Sequence, residues 1–259
     1  QSPFGLIVCT GPTGSGKTTM LYSCLHELAS PERKLVTVED PVEYILPWAT
    51  QVAIRADAGL TFSRAVRSVL RSDPDIIMVG EIRDRETLMV SIQASLTGHL
   101  VLTTLHTDDA ANALRRMVDI GLDPYLIADS TKLIIAQRLV RRLCKHCSVE
   151  EAPPPARLDQ AAAVARAGGL TWHSLEQKFR KPVGCDKCSR TGYRGRVAIL
   201  ETLEVTPDVS QALRRNAGTD AIQAAAVAGG MTTLAADGVR RAAAGETSLE
   251  EVTRVLGLK

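Results

Sequence analysis

The octapeptide Gly11-Pro12-Thr13-Gly14-Ser15-Gly16-Lys17-Thr18 matches the phosphate-binding pattern Gly-x4-Gly-Lys-Ser/Thr. It follows the apolar run Leu6–Cys9 and leads into a helix-like stretch from Lys17 to Leu28, which is the strand-loop-helix context the pattern requires. Glycines let backbone N–H groups close around phosphates, the lysine adds positive charge at the β and γ oxygens, and a threonine hydroxyl ligates Mg²⁺. A glycine-rich turn that matches by accident is disfavoured by the flanking elements. The octapeptide therefore predicts a site for a nucleoside triphosphate with magnesium, and Thr19 at the start of the helix is included in it.

Composition and charge narrow the classes of protein that fit. The chain has 259 residues, 45% of them hydrophobic, a formal net charge of +2 and only 3% aromatic residues. This size fits one large domain with a smaller appendage. A nearly neutral chain with few aromatic residues gives no support for a nucleic-acid partner. No apolar run approaches the roughly 20 residues that span a bilayer, so we expect a cytosolic chain with no transmembrane segment. Because residue 1 is Gln, we also expect domains before it.

Short apolar runs alternate with helix-period segments along the first half of the chain. The predicted strands are Leu6–Cys9, Leu35–Val38, Asp75–Val79 and Leu100–Leu105, and the predicted helices are Lys17–Leu28, Phe62–Arg71, Arg85–Leu96, Asp109–Ile120 and the run from Tyr125 to Leu143. The alternation predicts an α/β fold with a mostly parallel sheet. Three alanine-rich helices are expected at the C-terminus. The predicted division is 1–142 for the core, 143–196 for a cysteine-containing subdomain and 197–259 for a helical region.

Four of the six cysteines form two Cys-x2-Cys pairs. The pairs are Cys144 with Cys147 and Cys185 with Cys188, and 37 residues lie between them. Each pair can offer two thiolates to one tetrahedral ion, so the four together predict a closed, structural Zn²⁺ site. Two alternatives stay open: four unrelated reduced thiols, and replacement of one cysteine ligand by His146, which lies inside the first pair.

Two acidic segments follow predicted strands. Glu81 follows the predicted strand Asp75–Val79 after one glycine, so it is expected at the carboxyl edge of the sheet, where α/β proteins bind ligands. An ordinary buried strand with a solvated acid at its tip is the alternative. Glu39, Asp40 and Glu43 form a second cluster, which repels itself unless a cation lies nearby. A solvated acidic turn is the alternative for this second cluster.

His99 and His106 precede and follow another apolar strand. A histidine beside a γ-phosphate can hydrogen-bond to it, although taken alone each one also fits an ordinary structural role.

These segments together resemble the bacterial secretion ATPase family that drives type II secretion and type IV pilus dynamics. The octapeptide, Glu39–Glu43, Leu70–Asp84 and Thr97–Thr107 correspond in order to the family's Walker A, Asp box, Walker B and His box, and 230–251 resembles its C-terminal helical region. The resemblance covers nearly the whole chain. It implies a RecA-like P-loop core, and the four cysteines are similar to the zinc subdomain of the GspE/PulE-like and pilus-extension branches rather than the retraction branch.

The resemblance also implies roles for residues that match the motifs. Lys17 and Thr18 are expected to hold phosphates and Mg²⁺, Glu43 to act as general base, and Glu81 to act at the Mg²⁺ and γ-phosphate. Asp40 is expected to support the nucleotide site from one contact away. His99 and His106 are expected near the γ-phosphate and at the junction between subunit parts.

The implied function is an ATP-hydrolysing homo-hexameric motor for type II secretion, peripheral to the cytoplasmic face of the inner membrane. It would reach membrane platform proteins through an amino-terminal region, and restoring that region is expected to raise hydrolysis. A pilus-extension ATPase, a RecA-like DNA translocase with a zinc module and a non-hydrolysing, nucleotide-gated scaffold are the alternatives. Ser72, Asp108 and Ala198 depart from residues common in the family, and none is a proposed catalytic group.

Overall fold

The computed structural model describes residues 4–257, which divide into two compact units. The first unit contains residues 4–136 and 203–226, and the second contains residues 137–202 and 227–257. The chain therefore leaves the first unit and later returns to it. This differs from the predicted three-part division, because the cysteine-containing segment and residues 227–257 belong to one compact unit and residues 203–226 to the other.

The strands form one large sheet and one small one. In chain order the strands are β1 Gly5–Thr10, β2 Leu35–Glu39, β3 Thr50–Ala53, β4 Ile76–Val79, β5 Leu100–Leu105, β6 Thr131–Leu143, β7 Val149–Glu150, β8 Arg180–Lys181 and β9 Tyr193–Glu204. The large sheet has the order β3-β2-β4-β5-β1-β6-β9, and β7 pairs with β8 antiparallel. The ladders of β1 with β5 and β6, of β2 with β3 and β4, and of β4 with β5 are all parallel. The mostly parallel α/β sheet predicted from the sequence is confirmed.

Ten helices are described in residues 4–257. They are α1 Lys17–Leu28, α2 Phe62–Leu70, α3 Arg85–Leu96, α4 Ala110–Asp119, α5 Pro124–Ser130, α6 Pro155–Ala167, α7 Pro207–Arg214, α8 Thr219–Ala228, α9 Leu234–Ala243 and α10 Leu249–Leu256. Most begin at a residue whose side-chain oxygen accepts a backbone N–H of the first turn; Thr61, Asp84 and Asp109 do so for α2, α3 and α4. Such caps satisfy donors that the helix itself leaves unpaired, which fixes where each helix starts. None of these helices combines the length and the apolar character that a bilayer crossing demands.

The interior of the large sheet is apolar and buried. Its central strands are buried on both faces, and Val8, Ile77 and Val101 are fully inaccessible to solvent. Parallel strands covered on both sides consist of such apolar runs, and each buried side chain of this kind contributes roughly 1.5–3 kcal/mol. The polar residues that follow the strands are therefore held on a well-packed base.

The prediction of a helix over 125–143 is wrong beyond Ser130. Helix α5 ends there, and β6 continues as a strand from Thr131 to Leu143. The stretch Leu133-Ile134-Ile135 pairs with β1 from Ile7 to Cys9, so a neighbouring strand supplies the hydrogen-bond partners for a β-branched segment. In this apolar run, residue propensities alone did not distinguish a helix from a strand. The predicted three C-terminal helices are also corrected to four, α7 to α10.

The second unit packs α6, α9 and α10 around a small apolar core. Gly238 lies inside α9, and a Cβ atom built on it would lie 2.7 Å from Val252 Cγ1 on α10. The missing side chain lets the two helices approach closely. The core includes Ala165, Trp172, Phe179, Val239, Ala242 and Leu249.

Candidate functional site: a phosphate loop at the carboxyl edge of the sheet

The octapeptide forms the loop between β1 and α1, in the context that the sequence predicts. Gly14 and Gly16 adopt φ values of 80° and 87°, a region that residues with a Cβ rarely occupy. The Lys17 ammonium is buried in the loop and donates to the carbonyl oxygens of Gly11 at 2.8 Å and Pro12 at 3.1 Å. A cluster of backbone amides, a helix N-terminus and a buried ammonium form a donor set that suits a polyphosphate.

The strands on either side of this loop bring the other predicted residues to the same edge. In the parallel ladders Thr10 pairs with Leu105, Thr103 with Val79, and Val79 with Val38, so four neighbouring strands end together. The groups that follow these ends are the phosphate loop after β1, His106 after β5, Glu81 after β4 and Asp40 after β2. Sequence reasoning therefore located this edge correctly for these four segments.

Hydrogen bonds fasten the strand ends to one another. The Thr10 hydroxyl lies 2.8 Å from the Thr107 hydroxyl and accepts the Thr107 N–H at 2.9 Å, which joins the start of the phosphate loop to the residue after His106. The Thr104 hydroxyl donates to the Gly80 carbonyl at 2.7 Å, and the Gly80 N–H donates to Val38 at 2.8 Å. A Cβ on Gly80 would lie 3.2 Å from the Val38 carbonyl oxygen, so glycine allows β4 and β2 to end this close together.

Glu81 is the carboxylate most enclosed by charged partners at this edge. Its side chain is 15% exposed, forms an ion pair with Arg83, and its Oε2 lies 3.5 Å from His106 Nε2. The hydrogen bond and charge of Glu81, with a smaller contribution from Asp40, raise the pKa of the Arg83 guanidinium. The Arg83 side chain therefore places a positive charge beside Glu81 and Asp40, two of the predicted acidic residues. Sequence reasoning missed it, although its position two residues after Glu81 was the available signal.

The three acids of the second cluster have different environments. Glu39 is 2% exposed and accepts hydrogen bonds from the hydroxyl of Tyr22, from Thr37 at 2.5 Å and from Gln51 at 3.0 Å. Asp40 and Glu43 are exposed. The cluster is therefore split into one internal acid with three donors and two acids that face outward.

The structure places His99 at the opposite edge of the sheet. It directly precedes Leu100, which pairs with Gly5 at the start of β1, and its Nδ1 lies 2.9 Å from the carbonyl oxygen of Ala94. Five residues of β1 separate this edge from Thr10, which corresponds to about 17 Å along the strand. The expectation that His99 lies near the γ-phosphate is thus not met within one chain, because His99 precedes β5 and lies at the amino end of the parallel strands, whereas the phosphate loop follows their carboxyl end.

A separate cluster lies in the second unit, where the four predicted cysteine ligands meet. The Sγ atoms lie within 4.8 Å of one another, with Cys144–Cys185 at 4.0 Å, Cys147–Cys188 at 3.8 Å and Cys185–Cys188 at 3.8 Å. Tetrahedral Zn–S bonds of 2.3 Å place the sulfur atoms about 3.8 Å apart, so the arrangement fits the ion. Backbone N–H groups of Gly184, Cys185 and Gly192 donate to the sulfur atoms, as expected for thiolates. His146 is not in this group.

A model of the family described as "Type II/IV secretion system protein" matches residues 1–254. The chain belongs to this family. Type II secretion system protein E of Pectobacterium carotovorum subsp. carotovorum is 47% identical over 253 residues, which are 98% of this chain and 49% of that protein. The type IV pilus assembly ATPase PilB of Thermus thermophilus is 45% identical over 253 residues, 97% of this chain and 28% of that protein. The chain spans about half the length of its type II secretion relatives.

Solved structures of the same kind share the fold. The crystal structure of the pilus retraction motor PilT with bound ADP aligns with a TM-score of 0.71 at 27% identity, covering 97% of this chain and 61% of that one. The Legionella pneumophila ATPase DotB aligns with a TM-score of 0.69 at 26% identity, covering 99% and 61%. These similarities support ATPase activity for the family in general.

Proposed function

We propose that the chain is the ATP-hydrolysing part of a type II secretion motor. The observation that carries the proposal is the meeting of the phosphate loop, Glu81, His106 and Asp40 at one edge of the sheet, in a chain of the type II/IV secretion family. The similarity to type II secretion proteins of two bacteria at 46–47% identity supports the choice of system.

The residues of this edge divide the work of hydrolysis. Bound ATP with Mg²⁺ supplies a γ-phosphoryl group for in-line displacement by water. Lys17 and the backbone N–H groups of the loop from Gly11 to Thr19, Pro12 excepted, hold the phosphates, and the Thr18 hydroxyl is the proposed protein ligand to Mg²⁺. Glu81 acts at the metal and γ-phosphate, and Glu43 accepts a proton from the attacking water. Positioning and charge stabilisation provide most of the acceleration in such reactions.

Arg83 and His106 keep the Glu81 carboxylate in place. The side chains of Arg83 and His106 are 66% and 49% exposed, whereas the Glu81 side chain is only 15% exposed. A carboxylate fixed by two partners loses little further freedom when it engages a metal, which favours the preorganised site that catalysis needs.

The family relationship supports further parts of the proposal. The active assembly is a homo-hexamer that works at the cytoplasmic side of the inner membrane and pushes on membrane proteins of the secretion machinery. The four cysteines bind a structural Zn²⁺, which leaves no open ligand position for chemistry.

A type IV pilus-extension ATPase is the second candidate. The 45% identity to PilB, close to the values for the type II proteins, favours it. Genes for pseudopilins and an outer-membrane secretin beside this one would support type II secretion, whereas genes for a pilus and its assembly proteins would support extension.

Phosphate release with Mg·ATP tests the proposed reaction. Glu81→Gln is expected to lower kcat by about 10²-fold or more while ATP binding persists, and Lys17→Ala is expected to weaken ATP binding itself. Glu86→Gln is the matched control, because Glu86 is an exposed acid on α3 that pairs with Arg67. Unchanged turnover in Glu81→Gln, or unchanged ATP binding in Lys17→Ala by calorimetry, would contradict the proposal.

A further inference from the structure

Glu39 is a buried acid that the proposed reaction does not use. Its carboxylate accepts hydrogen bonds from donors on three elements: the Tyr22 hydroxyl on α1, the Thr37 hydroxyl on β2 and the Gln51 amide on β3. A buried carboxylate with this many partners has a single arrangement, because moving any donor leaves an unpaired charge behind. The acid therefore fixes Tyr22 and Gln51 relative to the sheet.

Tyr22 connects the phosphate-loop helix to the segment that carries Glu43. Its hydroxyl donates to Glu39, and its ring meets the ring of Tyr44, the residue after Glu43, edge to face. Burial and the hydrogen bond to Glu39 raise the pKa of the hydroxyl to about 12, so it remains a neutral donor. Tyr22 also lies four residues after Thr18, on the same face of α1.

Gln51 holds the same segment from its other side. Its Nε2 donates to the Tyr44 carbonyl oxygen at 2.9 Å and to Glu39 at 3.0 Å, and its Oε1 accepts the Leu46 N–H at 2.7 Å. The amide is therefore fully engaged between the acid and the chain just after Glu43.

Aromatic contacts also attach residues 44–48 to α1. The rings of Tyr22 and Tyr44 meet edge to face with centroids 5.8 Å apart, and those of His26 and Trp48 meet similarly at 6.0 Å. Residues 44–48 are therefore attached to the helix that begins at the phosphate loop by ring contacts and to Glu39 through Gln51, whereas Glu43 itself is exposed.

We propose that Tyr22 is a positioning residue for hydrolysis: with its hydroxyl anchored by the buried carboxylate of Glu39, its ring holds Tyr44, and with it the neighbouring Glu43, in register with the phosphate-loop helix. Gln51 is the second anchor of the same segment. The inference rests on the proposed function, since it assumes that Glu43 acts on the attacking water. A shift of the base by about 1 Å is enough to cost a large factor in rate, which is why such a device matters.

Hydrogen exchange of the chain without nucleotide tests the anchoring. Tyr22→Phe keeps the ring and removes the hydroxyl, so the amides of residues 43–46 are expected to exchange about fivefold faster or more, while those in the interior of β5 do not change. Tyr125→Phe is the control, because it makes the same chemical change at an exposed ring on α5. Unchanged exchange at 43–46 in Tyr22→Phe overturns the inference.

A double-mutant cycle tests the consequence for catalysis. Tyr22→Phe is expected to lower kcat by about tenfold or more with KM for ATP changed by less than about twofold. In the Glu43→Gln background the same change is expected to have little further effect, since Tyr22 acts through Glu43. An equal loss of kcat in both backgrounds would show a general structural role and overturn the inference.

The outcomes separate this inference from the proposed function. If the unmutated chain hydrolyses ATP and depends on Glu81, but Tyr22→Phe retains full kcat, only the positioning role is wrong. If the unmutated chain hydrolyses no ATP, the proposed function is wrong and the positioning role falls with it. Gln51→Leu offers a second variant, expected to loosen the same amides and lower kcat in the same direction.

Discussion

Glu39 and Glu43 stand four positions apart in one acidic run, yet the structure gives them opposite environments. Glu39 faces inward and accepts three hydrogen bonds, whereas Glu43 is exposed. The number of acids in a run does not reveal which of them is open to a ligand. Burial and available donors decide it, residue by residue.

Glu251 in the second unit is another buried carboxylate whose hydrogen-bond partners all belong to the protein. It is 1% exposed and accepts hydrogen bonds from the Arg141 backbone and guanidinium and from Arg254. Burial alone would raise its pKa, but the hydrogen bonds from Arg254 and Arg141 outweigh it and lower the pKa from 4.5 to about 2. The acid joins α10 to β6.

This shift predicts a pH dependence of stability. Because the folded pKa lies below the unfolded value, the contribution is fully present above about pH 4.5 and is lost as the pH falls toward 2. Glu251→Gln is expected to cost about 3 kcal/mol in the free energy of unfolding at pH 7, and the difference from the unmutated chain should shrink below pH 4.5. Denaturant unfolding at a series of pH values measures this. A difference that stays constant with pH would contradict the role of ionisation.

At the residue scale, the sequence predicted the groups whose chemistry is written in a local pattern. The phosphate loop, Glu81 and the four cysteines lie where their spacing and flanking strands indicated. Tyr22 and Gln51 were missed because each acts through Glu39 on another strand, and Arg83 was missed although it follows its partner Glu81 by two residues. His99 was misplaced because a motif read as one unit spans a whole strand, and its two ends lie at opposite edges of the sheet.

At the scale of elements, βαβ units were predictable because strand and helix periods differ clearly in them. Helices α1 and α3 and strand β5 have the predicted bounds. Strand β6 was missed because the choice between helix and strand there depends on β1, which is more than 120 residues earlier in the chain. Pairing partners that distant leave no trace in a local pattern.

The paired cysteines predict a consequence for the second unit. They follow β6 and flank the small β7–β8 ladder, so a metal ion would hold together the turns on both sides of this ladder. The purified chain is expected to contain about one zinc, and Cys185→Ser is expected to lose it and to unfold at lower temperature. Cys24→Ser is the control, since Cys24 lies on α1 outside the cluster. Metal analysis and thermal unfolding measure both effects, and an unmutated chain without stoichiometric zinc would rule the site out.

At the scale of the molecule, the sequence predicted one core ending at 142, but the first unit also requires residues 203–226. Helix α7 packs against α5, Arg214 pairs with Asp129 at 2.5 Å, and Arg115 donates to Asn216 at 2.8 Å. These contacts are long-range in sequence, so composition shifts along the chain did not indicate them. A boundary drawn where the character of the sequence changes separated residues that fold together.

A truncation follows from this organisation. A chain ending at Arg142 lacks the cover over α5 and is expected to unfold without cooperativity or to aggregate. Residues 4–136 joined to 203–226 by a short glycine–serine linker should retain a cooperative transition, because the packing partners are restored. Thermal unfolding followed by circular dichroism compares the two. A cooperative transition of equal midpoint in the shorter chain would show that the returning segment is dispensable.

The return of the chain to its first unit also affects how the protein folds during translation. The phosphate loop is translated before residues 137–202, and the helices that complete the unit around it are translated only after them. During that interval the first unit of the nascent chain is incomplete, because the surface of α5 that packs against α7 is uncovered. Chaperone capture during translation would be directed at this surface, and release would coincide with the exit of residues 203–226 from the tunnel.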